Sequence, residues 1–274
     1  MIDIPIDNSV SKLADWVELY ICLNATSISK ADLTNILEGE LGDIEESIVD
    51  SILAELERRC TLYGSAIPLR KAGKNFEFGE QYDWRAYPEY VMCLIYSLSD
   101  VITNDPGTLL FEQLAGDALK KYLNGEVVKL TFPAGRSFPD ILAELATVSY
   151  EQLGYTPNSD SSNSEVAVVG WVPHGDGRGA QAVVLLRSGA GKNWQHMGRI
   201  DVDMWQQFVL WMPKPIPALA IPELVALDKW HEVTHRFKLV LDRARLLRHI
   251  AAIAAPDMQL RQNITDWCSV QLSA

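Results

Sequence analysis

Apolar residues recur along this chain with two spacings, and the change from one to the other marks its plan. Between residues 9 and 63 they fall at helical spacing three times. In 9–24, Leu13, Trp16, Val17, Tyr20 and Ile21 share a face. The segment 29–41 opens on Ser29, a capping residue, with Asp32 three positions on, and 44–63 sets Ile48, Ile52, Leu53, Leu56 and Leu62 on one side. The spacing then shortens. Segments 66–70 and 75–78 flank Lys71-Ala72-Gly73-Lys74 and predict two short strands around a turn. Helix, helix, helix, hairpin is the order of a winged helix.

An aromatic stretch with Tyr82, Trp84, Tyr87 and Tyr90 links this unit to a second one. Helices are predicted at 87–102 and 108–123, the latter opened by Asp105-Pro106-Gly107 and closed by Asn124-Gly125. A strand follows at 126–132 and a helix, with Glu144 and Glu151, at 139–153. The run from 155 to 164 is the most polar in the chain and reads as a mobile surface loop. The strongest signal comes next: 165–172 and 180–186 are Val- and Leu-rich, too short for helices and bounded by polar and glycine clusters, which predicts a central β-hairpin. Met204, Trp205, Phe208, Val209 and Trp211 make an apolar helical face, prolines 213–217 break it, and 219–221 and 237–241 read as the last strands. Asp242 caps a basic helix with Arg243, Arg245, Arg248 and His249, whose arginines are placed to pair with acids of the first unit or with a partner. A helix at 256–272 ends the chain. The fold class is α/β (α+β), a helical unit at 1–85 followed by a mixed-sheet core flanked by helices at 86–274.

Composition narrows the function classes. The chain has 274 residues, 48% hydrophobic and 22% charged, enough to bury a substantial core. A net charge of −12 argues against coating nucleic acid, which needs a positive surface, but leaves room for a local basic groove. Arg58, Arg59, Arg70, Lys71 and Lys74 would supply such an edge on the first unit, opposed by Asp43, Glu45, Glu46, Asp50, Glu55 and Glu57 on the expected reading helix. No apolar run approaches the roughly 18 residues that span a bilayer, and Met1-Ile2-Asp3 lacks the basic start of a signal peptide. The expected location is cytoplasmic, away from the membrane. Cys22, Cys60, Cys93 and Cys268 are dispersed in apolar contexts, as buried free thiols are.

Several short motifs carry a resemblance. Val168-Val169-Gly170-Trp171, then Asp176-x-Arg178-Gly179, an apolar strand and Gly191-Lys192-Asn193-Trp194 resemble a prokaryotic group with the restriction-endonuclease-like, PD-(D/E)xK, core, typically found with phage-defence gene sets. The similarity extends to Arg58-Arg59, Trp84 with Tyr87-Pro88-x-Tyr90, Phe111-Glu112 and Leu241-Asp242-Arg243-x-Arg245-Leu246. It implies a restriction-endonuclease-like core. In that core a helical Glu, a strand Asp and a second strand's Glu or Gln with a Lys hold Mg²⁺, which polarises the phosphate.

The resemblance also locates what is missing. The metal-binding Asp should stand three residues before Gly170, where the chain has Ala167, and the second acceptor seven residues before Trp194, where it has Arg187. A methyl group cannot bind Mg²⁺ and a guanidinium repels it. Glu112, matching the family's first acid, is left alone. A displaced site is the alternative: Glu165, two residues before Ala167, would share its face of the strand and meet Asp176 and Lys192 around a metal. Without metal, Arg178, Arg187, Lys192 and Asn193 could cradle phosphate, with the amides of Gly189–Gly191 adding donors.

One further motif is His231-Glu232-Val233-Thr234-His235, an HExxH pattern whose imidazoles on a helix could bind Zn²⁺. No glutamate follows Glu232 to complete it. The expectation is therefore a non-catalytic subunit of a prokaryotic defence complex, a scaffold or nucleic-acid-sensing module with a larger protein partner. DNA is a possible further partner, self-association is open, and no cofactor is expected. The alternatives are a Mg²⁺-dependent endonuclease with a displaced site and, third, a zinc hydrolase.

Overall fold

The computed structural model describes residues 4–5, 9–79, 82–99, 106–130, 136–157 and 165–273, with the side chains of 192 and 193 outside the described set. Its first unit opens with α1 (Val10–Asn24), β1 (Ser27–Ile28) and α2 (Lys30–Leu41). The start of α2 is fixed by the expected cap. Ser29 Oγ accepts from the Asp32 amide at 3.2 Å, and Asp32 accepts from the Ser29 amide at 2.9 Å, a reciprocal capping box. α3 (Glu46–Tyr63) stops at Gly64, whose φ of +57° only glycine takes without strain. β2 (Arg70–Ala72) and β3 (Asn75–Glu77) form the expected hairpin, the first strand a few residues later than the pattern suggested and the second in its expected place. β1, at two residues too short to show a period, joins them in an antiparallel sheet of order β1-β3-β2.

The second unit continues with α4 (Pro88–Leu98), α5 (Pro106–Leu123), β4 (Glu126–Lys129), α6 (Phe138–Val148), β5 (Val168–Val172), β6 (Ala182–Ser188), α7 (Val202–Phe208), β7 (Ile216–Ala220), α8 (Leu227–Phe237), β8 (Leu239–Leu241), α9 (Arg243–Ala251) and α10 (Met258–Ser273). The strands make one five-stranded mixed sheet in chain order. β4, β5 and β6 are antiparallel, and β6, β7 and β8 are parallel. β7 begins inside the predicted proline break. β8 reaches only Ala218–Ala220, so at Pro217 the strand has a neighbour on one side alone, where a residue without an N–H is tolerated. The polar loop falls in part on 158–164, and the ends predicted at 100–102 and 131–132 likewise lie outside the described residues.

Both faces of the sheet are covered, as a layered α/β arrangement requires. On one face Val169, Trp171, Val183 and Leu185 pack with Leu142 and Leu145 of α6 and Trp205 and Phe208 of α7. On the other, Val168, Val184, Leu186, Ala218 and Ala220 join a core that also holds Phe111 and Leu119 of α5, Leu246 of α9, Ile264 of α10 and Leu13, Ile52 and Leu56 of the first unit. This core is continuous across residue 85. Its middle is α4, where every position from Pro88 to Ser97 is buried, the mark of a helix with no solvent face. No helix among the described residues is long and apolar enough to cross a membrane.

Candidate functional site

The β5–β6 hairpin is where nuclease chemistry is expected, and its register decides which residues meet. Val168 pairs with Leu186 at one end and Val172 with Ala182 at the other. At about 3.4 Å per residue those ends are roughly 14 Å apart. α5 runs alongside β5 in the same direction, since a Cβ on Gly116 would touch Val168 and one on Gly170 would meet Leu119 and Leu123. Glu112, one turn before Gly116, therefore lies toward the sheet end where β5 starts. Glu165, Ala167, Arg187 and the chain at Lys192 belong to that same end.

Asp176 does not. It stands in the exposed connector at the far end of the hairpin, where Arg178 Nε donates to it at 2.7 Å. That contact holds the Asp176 carboxyl below its usual range. The connector is fastened to the segment after α6, which ends at Val148 rather than reaching 153: the Ala180 amide donates to Glu151 Oε1 at 2.6 Å and Gln181 Nε2 to Ser149 O at 3.1 Å. A displaced metal site of Glu165, Asp176 and Lys192 is thus split by the length of the strand, and so is a phosphate cradle joining Arg178 to Arg187. The side chains of Lys192 and Asn193, called for both, lie outside the described residues.

The two positions singled out by the resemblance are neighbours in space, yet their side chains diverge. Ala167 donates to Leu186 O at 2.9 Å while Val168 is Leu186's register partner, so two residues oppose one in a β-bulge. Both Ala167 and Val168 then pack on the α5 side with Leu186. Arg187, next along β6, points to the other face and donates Nη1 to Gly198 O at 2.9 Å. Glu165 lies before the strand in a turn, so the alternation that would have put it on Ala167's face does not reach it.

The HExxH segment lies on α8 as expected, with Val233 and Phe237 buried and His231, Glu232 and His235 exposed. Its imidazoles stand one turn apart without a third ligand. Among the described residues no group of three or more His, Cys, Asp or Glu side chains could hold a metal ion.

The basic edge expected on the first unit is largely neutralised. Arg58 Nε donates to Glu55 at 2.6 Å, Arg70 pairs with Glu77 at 2.8 Å and Lys71 with Glu57 at 2.7 Å. Arg59 is no edge residue at all: its side chain is fully buried. It belongs to a buried polar cluster that spacing alone had not revealed. Arg59 Nη1 donates to Asp15 at 2.6 Å and to Glu18 at 2.9 Å, and its Nη2 to Ser11 O at 2.9 Å. From α9, Arg243 donates Nη2 to Asp15 and Nε to Tyr63 Oη at 3.0 Å. Tyr63 donates to Glu18 at 2.9 Å, Tyr90 donates to it as well, and Ser97 of α4 donates to Asp15. Burial alone would raise the Asp15 carboxyl, but the guanidiniums of Arg243 and Arg59 hold it far below the usual range. Arg59 Nε also donates to Glu55 at 2.8 Å, so three carboxylates and two guanidiniums tie α1, α3, α4 and α9 together in the interior. The pairing is not complete, since the buried Nη1 of Arg243 meets no acceptor among the described residues. The basic helix does pair with acids of the first unit, through Arg243.

Cys22, Cys93 and Cys268 are buried free thiols and Cys60 is half-buried. Burial pushes the Cys22 and Cys93 thiols up to about 12.

Among solved structures, the restriction endonuclease FokI matches with 8% identity and a TM-score of 0.24, over 93% of this chain and 46% of that one. No family model matches the chain. No curated protein matches it.

Proposed function

We propose that this chain is a non-catalytic subunit of a prokaryotic defence complex, acting as a scaffold or nucleic-acid-sensing module. In this reading a winged-helix-like unit precedes a restriction-endonuclease-like sheet whose metal-binding carboxylates are gone. The observation that carries it is the divergence of Ala167 and Arg187: a buried methyl group and a guanidinium on opposite faces offer Mg²⁺ neither the ligands nor a common point to hold it. The association with defence and with a larger partner rests on the sequence resemblance. The order α1-β1-α2-α3-β2-β3 with a β1-β3-β2 sheet supports the winged-helix reading of the first unit. Its α3 presents Glu46, Asp50 and Glu57 outward, the first two paired with Lys30 and the third with Lys71, which leaves no surplus of positive charge there for a phosphate backbone.

The alternative, a Mg²⁺-dependent nuclease, is favoured by one placement, that of Glu112 and Glu165 toward the same end of the sheet. Incubating the purified chain with linear, plasmid and single-stranded DNA in Mg²⁺ or Mn²⁺ decides between them. The expected result is intact DNA. Cutting that disappears in Glu112→Ala and Glu165→Ala would establish the nuclease and sink the scaffold reading.

A further inference from the structure

Cations gather without acids on the face shared by α9 and the last turn of α5. Arg245 and Arg248 are exposed on α9, and Lys120 and Lys121 are exposed at the end of α5. Tyr122 joins the two helices, its ring meeting that of His249 at a steep angle with centroids 5.2 Å apart. Burial, and then Arg245, Arg248 and Lys121, hold the His249 imidazole below its usual range, which places the three cations around it. From 243 to 256 the chain has no acid.

Many surface cations of this chain are paired. Arg58, Arg70, Lys71, Lys129 and Lys214 each hold a carboxylate, and Lys120 holds Glu126 at 2.8 Å. Lys121, Arg245 and Arg248 have no such partner among the described residues. With 36 acids to 24 lysines and arginines in the chain, three cations side by side without a carboxylate are unexpected.

Helix stability explains only part of the arrangement. Lys120, Lys121, Arg248 and His249 lie in last turns, where cations complement the helix dipole. Arg245 lies in the first turn of α9, where a cation opposes the dipole, and three positions from Arg248, close enough to repel it. Its guanidinium is nonetheless held in place, 4.4 Å from the centre of the Trp230 ring with Nη1 donating to Val240 O at 3.0 Å. Other N–H groups of that guanidinium remain for an acceptor from outside.

The neighbouring cleft bounds the face. About 530 Å³ of space lies between the end of α5 and the α9–α10 connection, walled by Lys120 and Lys121 but also by Asp117, Glu126 and Asp257. Its charges do not favour an anion, so the path for one runs along α9 and Tyr122 instead.

We propose that this face binds the backbone of a single-stranded nucleic acid. Lys121, Arg245 and Arg248 meet phosphates, and Tyr122, with 47% of its surface exposed, stacks on a base. Cations beside an exposed aromatic ring are how proteins hold single strands without reading sequence. An acidic protein surface would use the cations but not the ring. The face lies toward the far end of β5 from Ala167, because a Cβ on Gly125, just past α5, would touch Trp171 O. It is therefore not where the resemblance puts a catalytic metal. The proposal rests on the nucleic-acid-sensing reading above and deepens it, while the scaffold reading does not need it.

Fluorescence anisotropy of a labelled oligothymidylate of about 15 nucleotides, titrated with the full chain in Mg²⁺-free buffer, tests it. Lys121→Glu, alone and with Arg248→Glu, reverses exposed charges on this face, Lys74→Glu reverses one on the hairpin of the first unit, and circular dichroism checks that each variant is folded. Saturable binding is expected, tighter for the strand than for a duplex of the same sequence, weakened about tenfold or more by the double variant and unchanged by Lys74→Glu. With three phosphates neutralised, affinity should fall about a hundredfold for a tenfold rise in salt. Tyr122→Ala should weaken binding of the strand about fivefold or more without changing that salt dependence. The proposal is overturned if the strand does not bind at low salt, if the duplex binds more tightly, or if polyglutamate competes as well as unlabelled strand, which would make an acidic protein the occupant. Binding that survives reversal of Lys121 and Arg248 but falls in Lys74→Glu would overturn this face and leave the sensing reading in place on the first unit.

Discussion

Arg59, Arg243 and Arg178 carry the same guanidinium, but the first two are fully buried while the third leaves 82% of its side chain in solvent. Around Arg59 and Arg243, charges from α1, α3 and α9 and hydroxyls from α3 and α4 pack against one another in the interior. Arg178 pairs instead with its neighbour in the turn, Asp176. The contrast teaches what burial does to a charge. Removed from water, an ion depends on the few groups that pair with it, so it fixes the relative placement of the elements that carry them. Left in water, it contributes little to the fold and stays available to a partner.

The sharpest way to break that comparison is to remove one buried partner. Asp15→Ala leaves Arg59 and Arg243 short of a carboxylate in the interior, and about 3–5 kcal/mol of stability should be lost in urea denaturation at neutral pH. A loss below about 1 kcal/mol would show that the cluster is wetter than its burial implies.

Acid sharpens it next. The folded chain keeps Asp15 ionised where the unfolded chain, with a carboxyl near the ordinary pKa of about 3.9, has taken up its proton. Its contribution is therefore present at neutral pH and fades as pH falls below about 4. Burial raises Asp242 and Glu89 instead, and these groups act in the opposite sense at higher pH. Denaturation midpoints measured down the acid limb should drop steeply in the wild type and far less in Asp15→Asn.

The smallest effect belongs to the hairpin tip. Asp176→Ala removes a solvent-exposed pair and should leave the denaturation midpoint unchanged within error. A clear drop would mean that the connector is held by more than its contacts with Glu151 and Ser149.

Helices were legible in the sequence because the apolar spacing of α1 and α3 and the Ser29–Asp32 capping pair are local signals. The central hairpin was legible for the same reason. β1 was not, being two residues long, and neither was the bulge at Ala167, which carries that side chain to the α5 face. The ion cluster was hidden by distance: Asp15 and Glu18 sit inside the apolar run of α1, and Arg243 comes from 228 positions later in the chain. Only the folded chain shows that α9 covers them. Their spacing was the available sign, two acids one turn apart within a stretch otherwise fit for a core. Arg59 was misplaced on a surface because its neighbour Arg58 does lie toward one.

The most direct test of a fold without catalytic metal is calorimetric titration of the purified chain with Mg²⁺ and then Mn²⁺, beside the Glu112→Ala, Glu165→Ala double variant. The two proteins should give the same featureless heats of dilution. A saturating, stoichiometric isotherm in the wild type that vanishes in the variant would contradict that expectation and return a metal to the start of β5.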